Sequence, residues 1–244
     1  MRIFLACLAL LFFLPIGTAT AWWMTVDRPQ SWHEADWSGT DTLPDPGRNS
    51  DAAVYVMAAR TGGLKGAVSV HSWLVYKRAG AAAYTRYDKV GWGMPVRRNA
   101  YTADARWYSN RPFIIRAIRG HEAASLIPAI ESAIARYPHA GRGDYRTWPG
   151  PNSNTFVAHV LRAVPEIGAV LPPHAVGRDY LGAGPRAAVD RDARDLHLSL
   201  HGLAGLSAGL RSGFEVHLLG QAIGIDVMRP ALKLPGIGRV GLAL

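Results

Sequence analysis

Apolar residues run without interruption from Ile3 to Leu14, and a small-residue stretch then leads to Trp22 and Trp23. Extended to Trp23, the run reaches about 20 residues, the length that one bilayer-spanning helix needs. Ala19 and Ala21 are spaced as a signal peptidase would require. Residues 1–23 are therefore expected to be a signal peptide or an N-terminal membrane anchor. Either reading places the rest of the chain outside the cytoplasm, periplasmic or anchored to the inner membrane. Residues 24–50 are polar and aperiodic and read as a linker wrapping onto the domain that follows.

Beyond residue 50 the period changes. Residues 51–60, 66–78 and 81–93 read as strands, with a turn near Ala79–Gly80. Alternation in the second puts His71, Trp73 and Val75 on one face and Ser72, Leu74 and Tyr76 on the other. Residues 120–138 are helical, kinked or restarted at Pro128. Phe156, Val157, Val160, Leu161 and Val164 recur at helical spacing until Pro165. Residues 168–195 read as loop, and the C-terminal part as three or four short strands with Gly-rich turns. The expected architecture is α+β, with a principal domain over 51–195 and a β-rich extension over 196–244.

Composition narrows the chemistry. The net charge of +9 favours acidic partners, a membrane surface or another envelope component. The cations are scattered and not interleaved with aromatics, so nucleic acid is not expected. The single cysteine, Cys7, lies in the N-terminal apolar run, which leaves the rest of the chain without a disulfide or a thiol nucleophile. The histidines have no metal-ligand spacing with acidic partners, and no cofactor is expected. Nothing in the sequence sets the oligomeric state.

The candidate chemistry lies where the polar turn "WPGPNSNTF" meets the second helix. Asn152, Ser153, Asn154 and Thr155 are all good N-cap residues, but one suffices to start a helix. A nucleophile placed there gains from the helix dipole and from free amides that can hold an oxyanion. Ser153 is the candidate nucleophile and His71 the candidate base. With the hairpin centred between Ala79 and Gly80, Asp88 falls opposite His71 and can orient it, though as an exposed strand carboxylate it would look the same. Asp104, Asn152 and His121 are alternatives for that third role. Asn152, Asn154, Trp73 and Trp148 are candidate binding residues, the tryptophans as groove walls or core.

"NSNTFV" followed by an apolar helix resembles the Asn-Cys-x-x-Phe helix start of the permuted papain-like group, which includes lecithin-retinol-acyltransferase-like enzymes and relatives of cell-wall peptidases. "VHSWLVY" is similar to the histidine strand that precedes the cysteine helix in that group. The resemblance implies a permuted papain-like layered domain, with Ser153 at the cysteine position, His71 at the base position and Phe156 at a helix-packing position. "HSWLVYK", "GWG", "WPGPNSNTF" and the apolar C-terminus together resemble a bacterial family known as domain of unknown function 3750, which implies no activity. Two functions follow as expectations. One is a hydrolase or acyltransferase acting on amide or ester bonds in the cell envelope. The other is a non-catalytic envelope protein binding peptide, glycan or lipid in a cleft that has lost its thiol.

Overall fold

The computed structural model describes residues 2–241, with side chains from residue 9 to residue 241. The chain is α+β, with two antiparallel sheets and, among the described residues, three α-helices. The first sheet has the order β4-β3-β2-β1-β5, built from β1 (Ala53–Arg60), β2 (Val70–Lys77), β3 (Thr85–Lys89), β4 (Val96–Arg98) and β5 (Phe113–Arg119). β1 and β2 occupy its centre because both of their faces are apolar and buried.

The helices numbered α2 (Gly120–Ala135) and α3 (Ser153–Ala163) cover one face, where Val54, Val56, Leu74, Ile127, Ile130 and Phe156 form the main core. A smaller core of Tyr55, Met57, Trp73, Val75 and Trp107 fills the other face. Residues 24–50 close over this second core: Leu43 is buried in it, and Asp104 accepts from the amides of Thr42 and Leu43. α2 runs through Pro128 without a break, since the ring lies on the exposed side; the price is one helical hydrogen bond, the one to the Ala124 carbonyl.

α1 (Arg2–Thr25) lies along this domain. Phe12, Pro15, Ala19 and Trp23, three or four residues apart, form its buried stripe. Trp23 donates from Nε1 to the Gly63 carbonyl at 2.9 Å, and the Arg60 guanidinium sits over the rings of Trp22 and Trp23. Among the described residues, no helix is long and apolar enough to cross a membrane. The anchor expected over Ile3–Trp23 draws in part on residues 1–8, whose side chains lie outside the described ones.

The C-terminal part differs most from expectation. Its sheet has seven strands in a simple meander: β6 (Pro185–Val189), β7 (Asp195–Leu200), β8 (Ala204–Gly209), β9 (Gly213–Leu218), β10 (Gln221–Asp226), β11 (Ala231–Leu234) and β12 (Gly238–Gly241). β6 falls in a segment that reads as loop, β8 is built of small residues with little β signal, and the last apolar run is a hairpin of two strands. β4 also lacks a sequence signal of its own; β5, with Phe113, Ile114, Ile115 and Ile118, has one that sequence reasoning passed over. β5 is recruited as an edge strand by pairing along β1.

Replacing Phe156 by Ala tests the main core. Its ring is wholly buried and meets Tyr137 edge-on at 5.1 Å. Phe156→Ala is expected to cost about 3–5 kcal/mol in urea denaturation.

Candidate active site at the start of α3

The four polar residues before the apolar helix are divided between two tasks. Asn152 is the N-cap: its Oδ1 accepts from the amides of Asn154 and Thr155, and Thr155 returns a bond to the Asn152 amide, which closes a capping box. Asn152 Nδ2 donates to the carbonyls of Thr147 and Val176. Asn154 donates from Nδ2 to Val70 and Val176 and accepts from Ser72 Oγ at 2.8 Å. Gly177, at φ +89, lets the 172–178 loop pass this close, since a Cβ there would run into the Asn152 carboxamide. The side chains of Asn152 and Asn154 are thus occupied in holding the helix start against β2 and that loop.

Ser153 is left over. It is buried, and neither its Oγ nor its amide has a hydrogen-bond partner among the described residues. It borders a cleft of about 600 Å³ that is also lined by His71, Trp92, Trp107, Tyr145 and Trp148.

His71 reaches this cleft from the sheet face turned away from α3. The ladder between β2 and β3 pairs Leu74 with Tyr87, Val75 with Arg86 and Tyr76 with Thr85. This register differs by two residues from a turn centred at Ala79–Gly80, because the connection is a longer loop over residues 78–84. Asp88 is therefore diagonal to His71 and not opposite it. A two-residue shift keeps the face, so the pair still meets, with His71 Nε2 2.9 Å from Asp88 Oδ1.

Asp88 is fully buried, which sets aside the competing reading of an exposed strand carboxylate. Arg86, two residues earlier on the same face, donates to it twice, at 2.7 and 2.8 Å, and also holds the Thr102 carbonyl. Burial pushes the Asp88 carboxyl up, but the Arg86 charge and the bonds from His71 and Arg86 outweigh it, and the net effect is to hold the group below its ordinary value. Burial lowers the pKa of His71, against the opposing pull of Asp88. An ionised Asp88 can only accept, so the neutral imidazole carries its proton on Nε2 and leaves Nδ1 as a bare lone pair. Trp107 stacks on the ring at 3.6 Å with an interplanar angle of 3°, which fixes its plane.

The structure thus brings His71, Asp88 and Ser153 into one neighbourhood, although no hydrogen bond joins Ser153 to His71. Trp148 lines the cleft, half-exposed, with Nε1 on the Leu219 carbonyl. Trp73 does not: it is wholly buried, bonded to the Ala103 carbonyl, with the Arg86 guanidinium over its ring at 4.1 Å. It packs below the site because strand alternation aims it into the second core. The alternatives for the orienting role are placed elsewhere, since Asp104 anchors residues 42 and 43 and His121 is exposed at the start of α2. Sequence reasoning placed Arg86 beside Asp88 only as a neighbour of an exposed carboxylate and Trp107 only as core or groove wall, and it missed the buried clamp and the stack on His71. The first could be found from i,i+2 spacing on one strand face; the second has no local signal. Among the described residues, no group of three or more His, Cys, Asp or Glu could hold a metal ion.

A protein-family model described as "Protein of unknown function (DUF3750)" matches residues 51–180. That span includes His71, Arg86, Asp88, Trp107 and Ser153 and ends before the second sheet. No curated protein and no solved structure matches.

Two outcomes follow from the buried triplet. Asp88→Asn leaves Arg86 buried without its counter-charge and is expected to cost about 3–5 kcal/mol in denaturant unfolding. The second concerns pH. Burial lowers the pKa of His71, and it lowers His174 and His217 to about 3. Unfolded histidines titrate near 6.5, so below that pH the unfolded chain binds more protons than the folded one. The stability these three histidines contribute is expected to be level above about pH 7 and to be lost as pH drops below 6.5, which thermal melts of the wild-type chain and of His174→Gln and His217→Gln between pH 7 and pH 4 would record.

Proposed function

Since the chain belongs to the DUF3750 family, whose description assigns no activity, we propose from the cleft itself that it is an acyl-transfer enzyme, a hydrolase or acyltransferase acting on amide or ester bonds. The observation that carries the reading is His71, held by a buried Arg86–Asp88 pair with its free nitrogen available to a cleft that Ser153 also borders. Burying a charged pair to orient one imidazole is costly, and a cleft that needed only a wall has no use for it.

In the proposed reaction, Ser153 Oγ attacks the carbonyl carbon while its proton passes to His71 Nδ1. The carbonyl oxygen takes the negative charge and accepts from the unpartnered Ser153 amide, aided by the α3 dipole. Collapse breaks the bond to the leaving nitrogen or oxygen, which takes the proton from His71. Water, or an acceptor alcohol or amine, then attacks the acyl-serine with His71 again as base. The histidine-strand-then-helix order supports a permuted papain-like ancestry with serine in place of cysteine. The expected site of action is the cell envelope, on the strength of the N-terminal segment.

A second reading, a cleft that binds peptide, glycan or lipid without turnover, is favoured by the missing hydrogen bond between Ser153 and His71. Labelling with a fluorophosphonate probe decides between them. Catalysis predicts labelling that is abolished in Ser153→Ala and falls about 10²-fold or more in His71→Ala, with both variants folded by circular dichroism. No labelling of the wild-type chain, with Ser153→Cys reactive toward thiol probes, identifies a binding cleft.

A further inference from the structure

The C-terminal sheet is built with its sides reversed. Along β7 and β9 the residues facing the domain are Asp195, His197, Ser199, Glu215 and His217, and the residues facing out are leucine, valine or phenylalanine. The ladders carry this alternation across all seven strands: Leu198 pairs with Leu206, Leu206 with Val216, Val216 with Ile223, and Ile225 with Leu232. No outward position in any of these strands carries a charge. Leu200, Phe214 and Leu232 are about half exposed, at 52, 49 and 55 %. The inner side is meanwhile stabilised by charge, with Glu215 bonded to both Arg178 and Lys233. A sheet with one wet face ordinarily turns its polar residues outward.

We propose that this outer face docks on an anionic lipid surface. Seven strands at about 4.8 Å spacing and about 20 Å long give a face of roughly 600 Å². A protein interface of that size would use about three to six hydrogen bonds, and outward-facing strand side chains here offer almost none. Lipid chains require neither hydrogen bonds nor shape complementarity.

The margins fit the same partner. At one end of the sheet, the exposed apolar turn residues Leu210, Val227 and Met228 lie among Arg191, Arg194 and Arg229, which are half-exposed or more and paired with Glu166, Asp192 and Asp226. Exposed apolar tips suit the acyl-chain boundary, and the net charge of +9 suits anionic headgroups. At the other end, the β11–β12 turn abuts α1, where a Cβ on Gly236 would lie 3.1 Å from that of Ala19. α1 exposes Leu10, Leu11, Phe13 and Leu14 on the side not packed against the domain. The cleft lies at this end too, since Leu219 and Gln221 of the sheet and Ile16 of α1 all line it.

The test uses the full chain with Cys7→Ser, carrying a polarity-sensitive fluorophore at Leu206→Cys or, as a control, at Glu122→Cys on α2. On vesicles of phosphatidylcholine with about one-third phosphatidylglycerol, the label at 206 is expected to brighten and shift to the blue while the label at 122 does not change. In co-sedimentation with the same vesicles, Leu198→Glu/Val216→Glu should bind at least about tenfold more weakly while remaining folded. Unchanged binding by the double variant, or a silent label at 206, assigns membrane contact to α1 alone and overturns the proposal. A label at 206 already shielded before vesicles are added, with a dimer in light scattering that the double variant dissociates, makes the face an interface between copies and overturns it equally.

Discussion

The candidate site depends on how the start of α3 is fastened. Asn152 and Asn154 together satisfy two helical amides, the carbonyls of Thr147, Val70 and Val176, and the Ser72 hydroxyl. These bonds join three parts of the chain that are far apart in sequence: β2, α3 and the 172–178 loop that leads to the second sheet. β2 can accept this fastening because its ladder with β3 begins only at Leu74, which leaves the Val70 carbonyl free for a side chain. A buried amide group without a partner costs more than a hydrogen bond ordinarily returns, so each asparagine is held to its place by everything it satisfies. Ser153, between them, is positioned by its neighbours and owes nothing of its own to the cap.

The second buried polar unit is independent of the first. Arg86, Asp88 and His71 lie on the opposite face of the same sheet, enclosed by Trp73, Trp107 and Tyr101. Arg86 lies over the Trp73 ring, so the cation that neutralises Asp88 is itself supported by the aromatic core. His71 is thereby oriented through two residues of β3 while Ser153 is positioned by α3. Their common cleft arises because α3 is fastened to the end of β2 where His71 also stands.

The second sheet joins the first domain through charge more than through apolar packing. Arg178 bonds to the Leu171 carbonyl and to Glu215, Glu215 to Lys233, and Gln221 reaches the Val68 carbonyl at 2.7 Å. Hydrophobic burial, which normally decides which side of a sheet faces inward, is thus left unspent on the outside. Under the proposed docking, that outer face also leaves water when the protein sits on a lipid surface.

Much of this was legible from residue order. Alternation in "VHSWLVYK" correctly separated His71, Trp73 and Val75 from Ser72, Leu74 and Tyr76, because strand period is a local property of the backbone. The helix at 153–163 and its polar start were also legible, since capping chemistry and helical spacing act over a few residues. The strands β4, β6 and β8 were not, because their pairing partners and not their own composition make them strands. The register between His71 and Asp88 escaped for a related reason. It is set by the length of the loop between them, and the pair survived only because the error was an even number of residues. Sequence by itself determined which residues could act; the distance between Ser153 and His71, the burial of Asp88 and the outward turn of the apolar sheet were decided by tertiary packing, which alone brings distant segments into one dielectric environment.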